Sequence, residues 1–230
     1  MTRPSLRPSL PAPFQLCAVT TDADALAGGR GHTEVALAAL AGGADAVQLR
    51  APGWTADELR PLARVLTAAC ARTDAALIVN DHPAVAAQVG AAGAHVGQDD
   101  DPVAARARLE PGQILGVSAG SVDEVEAAVA AGADYVGVTV WPTATKSEAA
   151  AVGVEGLRDL AVASPVPLVA IGGVSAATAP TALAAGAAGV AVVSAIAAAP
   201  DPVAAARELR AVVDEALASG DPSPRQEESR

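Results

Sequence analysis

Aromatic side chains are nearly missing from this chain: Phe, Tyr and Trp make up 2% of its 230 residues. So few rings leave almost no platforms on which unpaired bases could stack. The chain is 51% hydrophobic, so its core must be built from Ala, Val, Leu and Ile. Positive charge is short as well. Lys and Arg number 15 against 26 Asp and Glu, a formal net charge of −11, which opposes binding to nucleic-acid phosphates and to anionic membranes. Cysteine is limited to Cys17 and Cys70, far apart and outside any CxxC pair or histidine cluster. Buried, reduced thiols and a cytoplasmic compartment are expected. The opening MTRPSLRPSLPAPF has prolines where a secretory leader has its apolar run, and every long apolar stretch is broken by Gly, Asp or Pro, so neither a leader nor a membrane span is expected.

What the chain has instead is a two-part unit that recurs. Short apolar runs, FQLCAVTT (14–21), AVQLR (46–50), ALIVND (76–81), AHVG (94–97), ILGVS (114–118), YVGVT (135–139), PLVAIGG (167–173) and GVAVVS (189–194), read as strands. They are apolar on both faces, as parallel strands covered by helices are. Ala-rich helical patterns lie between them at 33–42, 55–72, 83–91, 102–109, 121–131, 154–163 and 175–185, with a last one at 202–218. AGGADAVQL, AAGAHVGQ, AAGADYVGV and AAGAAGVAV each place a glycine just before a strand, where it can close one helix in the left-handed conformation. Eight such units predict an α/β fold, a closed (βα)8 barrel, as one domain over 14–218. An open doubly wound sheet is the alternative. A flexible segment is expected at 1–13 and a disordered polar tail at 219–230.

Nearly every apolar run is followed by a polar group or a glycine, and the opposite ends offer little of this kind. Gln48 and Arg50 follow the second run, Asn80 and Asp81 the third, Gln98 to Asp101 the fourth, and Ser118 the fifth. Thr143, Thr145 and Lys146 follow the sixth, Gly172 and Gly173 the seventh, and Ser194 the eighth. In a barrel this is the C-terminal rim, where chemistry is done. Asp81 and Asp100, from neighbouring strands, suit Mg²⁺ shared with waters and substrate phosphate. Arg50 and Lys146 can hold phosphate oxygens, and Asn80, Ser118, Thr143 and Thr145 can hydrogen-bond them. IGGVS (171–175) reads as a backbone cradle for phosphate, with the N-terminus of the next helix behind it. The inventory suits a ligand with two phosphorylated parts and one metal ion.

QLR, IVND, HVGQDD, GVSA, YVGVTVWPTATK, AIGGV and VVSAI occur in this order with barrel spacing. Together they closely resemble the thiamine-phosphate synthase family, over residues 14–215. The resemblance implies a transferase that joins a hydroxymethylpyrimidine pyrophosphate to a thiazole phosphate and releases pyrophosphate by a dissociative, Mg²⁺-assisted route. It implies Gln48, Arg50, Asn80, Ser118 and Lys146 at the pyrimidine pyrophosphate, with Arg50, Ser118 and Lys146 as the catalytic set. Asp81 and Asp100 would bind the metal, and Thr143, Ala144, Thr145, Gly173, Val193 and Ser194 the thiazole phosphate. The implied partners are these two small phosphorylated substrates, with no nucleic acid and no membrane; self-association is left open.

Two positions depart from the family pattern. Pro52 stands where the family has a lysine after the QLR motif, and Gly120 where the related thiazole tautomerases have a histidine. Pro52 leaves a non-catalytic binder of thiamine precursors as one alternative reading; a thiazole tautomerase is the other, and Gly120 and the retained Asp81, Asp100 and TATK speak against it. Of the histidines, His95 reads as a hydrogen-bonded barrel residue, His82 as a helix-entry residue and His32 as a loop residue. Trp54 or Trp141 could wall the pyrimidine or simply pack.

Overall fold

The computed structural model of the protein describes residues 14–22, 28–143 and 150–220. Eight parallel strands close into a barrel in sequence order. They are β1 (Leu16–Val19), β2 (Ala46–Leu49), β3 (Ala76–Asn80), β4 (Gly93–Val96), β5 (Ile114–Ser118), β6 (Tyr135–Thr139), β7 (Leu168–Ile171) and β8 (Gly189–Val192). The outer helices are α1 (His32–Ala41), α2 (Ala56–Ala71), α3 (Pro83–Val89), α4 (Pro102–Arg106), α5 (Val122–Ala130), α6 (Gly153–Ala163), α7 (Ala179–Ala184), α8 (Ser194–Ala197) and α9 (Pro202–Gly220). The register Cys17↔Ala191 on one side of β1 and Cys17↔Ala46 on the other closes the ring without an edge strand.

The period of two along each strand sorts the chain into an inside and an outside. Leu16, Val47, Leu77, Val79, Leu115, Val136, Val138 and Val190 point outward and pack against the helices. Cys17, Val19, Ala46, Ala76, Ile78, Tyr135, Val169 and Ala191 form a second cluster inside the barrel. Most of these interior residues are small, and one large ring is bought its space by a missing side chain: a Cβ at Gly116 would lie 2.1 Å from Tyr135 Cζ. Phe14 lies tilted against Tyr135, with 4.9 Å between ring centres and 59° between ring planes. These two rings close the lower barrel, and the upper half is left to polar side chains.

At the N-terminal end α9 packs against α1, α7 and β1. The approach is close: a Cβ at Gly42 would meet Ala206 Cβ at 2.3 Å. Arg210 Nη1 reaches Asp45 Oδ2 at 3.1 Å, and the Asp45 carboxylate accepts the backbone N–H groups of Gln15 and Leu16 at 2.8–2.9 Å. One half-buried cluster thus ties the last helix to the first strand.

Several sequence-based boundaries shift, four of them with consequences for the ends of the barrel. β1 is Leu16–Val19, narrower than 14–21. The helix expected at 175–185 starts only at Ala179. The eighth strand stops at Val192, and Ser194 opens the short α8. The last helix runs to Gly220, so residues 219 and 220 are helical, whereas the tail was expected to begin at 219. Segments 1–13 and 221–230 lie outside the described residues. No helix among the described residues is long and apolar enough to cross a membrane.

Candidate active site

The inward parity that fills the lower barrel also selects the last or next-to-last residue of several strands. Gln48, Asn80, His95, Ser118 and Thr139 share it with Ala46, Ile78 and Tyr135. They line one cavity of about 290 Å³ at the C-terminal ends of the strands. The same cavity is lined by Arg50, Asp81, Asp100, Thr143, Gly173, Val193 and Ser194. Every expected site residue that is described therefore meets there. Ala144, Thr145 and Lys146 lie outside the described residues.

The loop that carries Arg50 is fastened along its length. The Arg50 N–H donates to Thr20 Oγ1 at 3.1 Å, Trp54 N–H closes a turn onto the Ala51 carbonyl at 3.2 Å, and His82 Nε2 donates to the Trp54 carbonyl at 3.1 Å. Thr55 then starts α2 with a full capping box to Glu58, a motif that satisfies two backbone donors at once. Pro52 is exposed on this turn and does not line the cavity. Among the described residues Arg50 is the one Arg or Lys that does.

Asp81 follows β3 with φ +61, a left-handed backbone that few residues other than Gly, Asn and Asp adopt readily. Its N–H is held by the His95 carbonyl at 2.9 Å. The cavity wall removes part of the water around its carboxyl, and the charge of Asp100 adds to this; together they raise its pKa above the usual Asp value. The nearby Arg50 charge, a hydrogen bond from Asn80 and the proximity of His82 act against that rise. Asp100 folds back so that Oδ2 accepts the Gly97 N–H at 2.8 Å. No group of three metal-ligating side chains occurs among the described residues. Two carboxylates whose charges repel at one cavity wall form a donor set that suits a hard divalent cation completed by water and phosphate oxygens.

Inside the barrel four side chains are joined in a line. Gln48 hydrogen-bonds the Tyr135 phenol, His95 Nδ1 meets that phenol at 3.0 Å, and His95 Nε2 meets Ser118 Oγ at 2.9 Å. A Gln48 N–H donating to the phenol oxygen frees the phenol hydrogen for His95 Nδ1. Nε2 then carries the ring proton and donates to Ser118, whose own hydrogen is left for a ligand. Burial, with the neighbouring Cys17 adding to it, pushes the Tyr135 phenol well above its usual pKa, so it stays a neutral donor. The Cys17 thiol is likewise pushed far up by burial, and Cys70 to about 11. Both are free, buried and un-ionised.

Across the cavity Gly172 and Gly173 have φ of +79 and +66, and a Cβ at Gly173 would press into Trp141 Cβ at 2.7 Å. Open backbone at this point is as expected. The helix behind it is not: residues 175–178 form a turn in which Thr178 Oγ1 takes the Ser175 N–H at 2.9 Å before α7 begins. The glycine backbone therefore stands here without a helix N-terminus directly behind it.

A family model for thiamine monophosphate synthase matches residues 16–196. A thiamine-phosphate synthase of Chloroflexus aurantiacus is 47% identical over 197 residues, 85% of this chain and 91% of the relative. A second, from Moorella thermoacetica, is 46% identical over 83% of this chain and 92% of its own. The chain belongs to the thiamine monophosphate synthase family. As a thiamine-phosphate synthase family member it is a transferase of thiamine biosynthesis. Its fold is that of a thiamine phosphate pyrophosphorylase from Pyrococcus furiosus, with a TM-score of 0.80 and 34% identity over 89% of this chain and 97% of the other.

Two members of the interior line carry little functional signal in the sequence alone. His95 is the hydrogen-bonded barrel residue expected, yet it also lines the cavity and orients Ser118. In the sequence Tyr135 shows only as the first residue of an apolar run, and Thr20 only as part of a strand end. Strand parity was the available signal, since 95 and 135 share the inward face with interior neighbours. His32, expected in a loop, opens α1, is 7% exposed and bonds Thr20 Oγ1 through Nδ1 at 2.9 Å.

Proposed function

We propose that the cavity joins a hydroxymethylpyrimidine pyrophosphate to a thiazole phosphate, giving thiamine phosphate and pyrophosphate, with Mg²⁺ held by Asp81 and Asp100. The observation that carries this reading is the meeting of Arg50, Asp81, Asp100 and Ser118 from four separate strand ends in one cavity. The bond between the pyrimidine methylene carbon and the bridging oxygen breaks first, and its electron pair leaves on pyrophosphate. The thiazole nitrogen then donates its lone pair to the methylene cation. When bound, Mg²⁺ supplies charge neutralisation on the departing phosphates.

The side chains divide the remaining work. Arg50 and Lys146 hold the leaving pyrophosphate, where negative charge develops, and preorganised cations at that point lower the barrier. Gln48, Asn80 and Ser118 orient the pyrimidine half. Thr143, Ala144, Thr145, Gly173, Val193 and Ser194 hold the thiazole phosphate. No enzymic nucleophile is required, in keeping with two thiols that burial keeps un-ionised. The buried reduced cysteines also fit a cytoplasmic setting. The retained Asp81, Asp100 and Lys146 speak against the tautomerase reading, as does Gly120, which has no side chain to move a proton.

Lys146 is the only lysine of the chain, which makes the assignment unusually easy to test. Amine-selective acylation mapped by peptide mass should stop turnover in step with Lys146 modification, and pyrimidine pyrophosphate with Mg²⁺ should protect it. Full activity with Lys146 acylated would remove this residue from the site.

A further inference from the structure

His32 is buried at 7% exposure, yet its Nε2 has no hydrogen-bond partner among the described residues. A buried imidazole with one unpartnered nitrogen is a poor packing residue, so its other bond needs a reason. Nδ1 lies 2.9 Å from Thr20 Oγ1. That hydroxyl, fully buried, accepts the Arg50 backbone N–H at 3.1 Å. Thr20 itself is pinned by its N–H to the Gln48 carbonyl at 2.9 Å. With the Arg50 N–H as donor, the Thr20 hydrogen is free to go to Nδ1, which places the imidazole proton on Nε2. Burial lowers the His32 pKa against the opposing charge of Asp22, in keeping with a neutral ring. The Trp54 indole stands T-shaped against it, with ring centres 5.4 Å apart.

We propose that His32 and Thr20 are positioning residues for Arg50: His32 directs the Thr20 hydroxyl, Thr20 holds the Arg50 peptide, and this sets where the guanidinium stands over the pyrophosphate end of the cavity. The other end of the same loop is held independently by His82 on the Trp54 carbonyl. Here Pro52 replaces the expected second cation, so the placement of Arg50 carries more of the pyrophosphate binding than a loop with two cations would ask of it. The inference rests on the assignment of Arg50 to pyrophosphate.

The test compares steady-state constants for both substrates, and inhibition by inorganic pyrophosphate, in Thr20→Val, Thr20→Ser, His32→Phe, His32→Asn and Arg50→Gln. Thr20→Val and His32→Phe should each raise the KM for pyrimidine pyrophosphate, and the inhibition constant of pyrophosphate, by about five- to tenfold, the value of one hydrogen bond. The KM for thiazole phosphate should stay unchanged. The Thr20→Val/His32→Phe pair should be no worse than either alone, because both cut one chain. Thr20→Ser keeps the hydroxyl and His32→Asn puts an oxygen near the Nδ1 position, so both should retain most of the affinity. Loss of active protein alone would lower kcat with both KM values intact, and that outcome would overturn the proposal. So would equal weakening of both substrates. If His32→Phe does not fold, Thr20→Val against Thr20→Ser carries the same contrast. Should Arg50→Gln leave pyrophosphate affinity untouched, the Arg50 assignment itself fails; should it weaken affinity while Thr20→Val does not, only the positioning role fails.

Discussion

At the scale of single residues the account turns on Asp81. Its carboxyl has a raised pKa because of lost water and the charge of Asp100. A group whose pKa is higher in the folded state favours the fold when protonated, so its contribution is present below the ordinary Asp value of about 3.9 and is lost as pH rises through the raised value. In chelator at neutral pH the ionised Asp81 therefore works against the fold. Asp81→Asn should raise the melting temperature under these conditions, and Asn is well suited to the left-handed backbone at this position. The same substitution should abolish the stabilisation that Mg²⁺ with pyrophosphate gives to the parent protein. Melting curves with and without metal check both signs; an unchanged metal response would take Asp81 out of the cation site.

At the scale of elements, strand parity decides what is inside. Alternation places Gln48, Asn80, His95 and Ser118 on the inward face, and the strand runs were readable because both faces are apolar. The candidate site was legible for a related reason: Arg50, Asn80 and Asp81 are polar groups set directly after deeply apolar segments. The interior line was not legible, because Tyr135 opens an apolar run and only its partners Gln48 and His95 give it a role. The seventh unit misled because VSAATAPTALAAG has helical composition, while Thr178 Oγ1 caps a turn at 175–178 and delays the helix. Two substitutions separate structure from function at this scale. Gly173→Ala adds a Cβ at φ +66 against Trp141, and should raise the KM for thiazole phosphate by about tenfold or more, from a distortion of about 1–2 kcal/mol. Thr55→Ala removes the capping box of α2 and should cost about 1 kcal/mol of stability, read as a melting temperature roughly 2–4 °C lower, with both KM values unchanged.

At the scale of the whole molecule, chemistry and stability occupy opposite ends of the barrel. The N-terminal end is closed by Phe14, Tyr135 and the Arg210–Asp45 cluster, and the C-terminal end is left open and polar. Arg210→Ala should cost about 2 kcal/mol, because it strands a half-buried carboxylate, and should lower the melting temperature by roughly 4–8 °C with kcat and both KM values intact. Such a separation lets a chain with few rings and few cations concentrate its polar groups at one rim, where Arg50, Asp81, Asp100 and Ser118 converge although 68 residues separate the first from the last. The most direct measurement follows thiamine phosphate and pyrophosphate formation as Mg²⁺ is titrated, in the parent protein and in Asp100→Asn. The account predicts equal amounts of both products, no turnover in chelator, and a loss of about 10²-fold or more in the variant, the size seen when one transition-state contact is removed. Metal-independent formation of thiamine phosphate, or an Asp100→Asn protein as active as its parent, would contradict it.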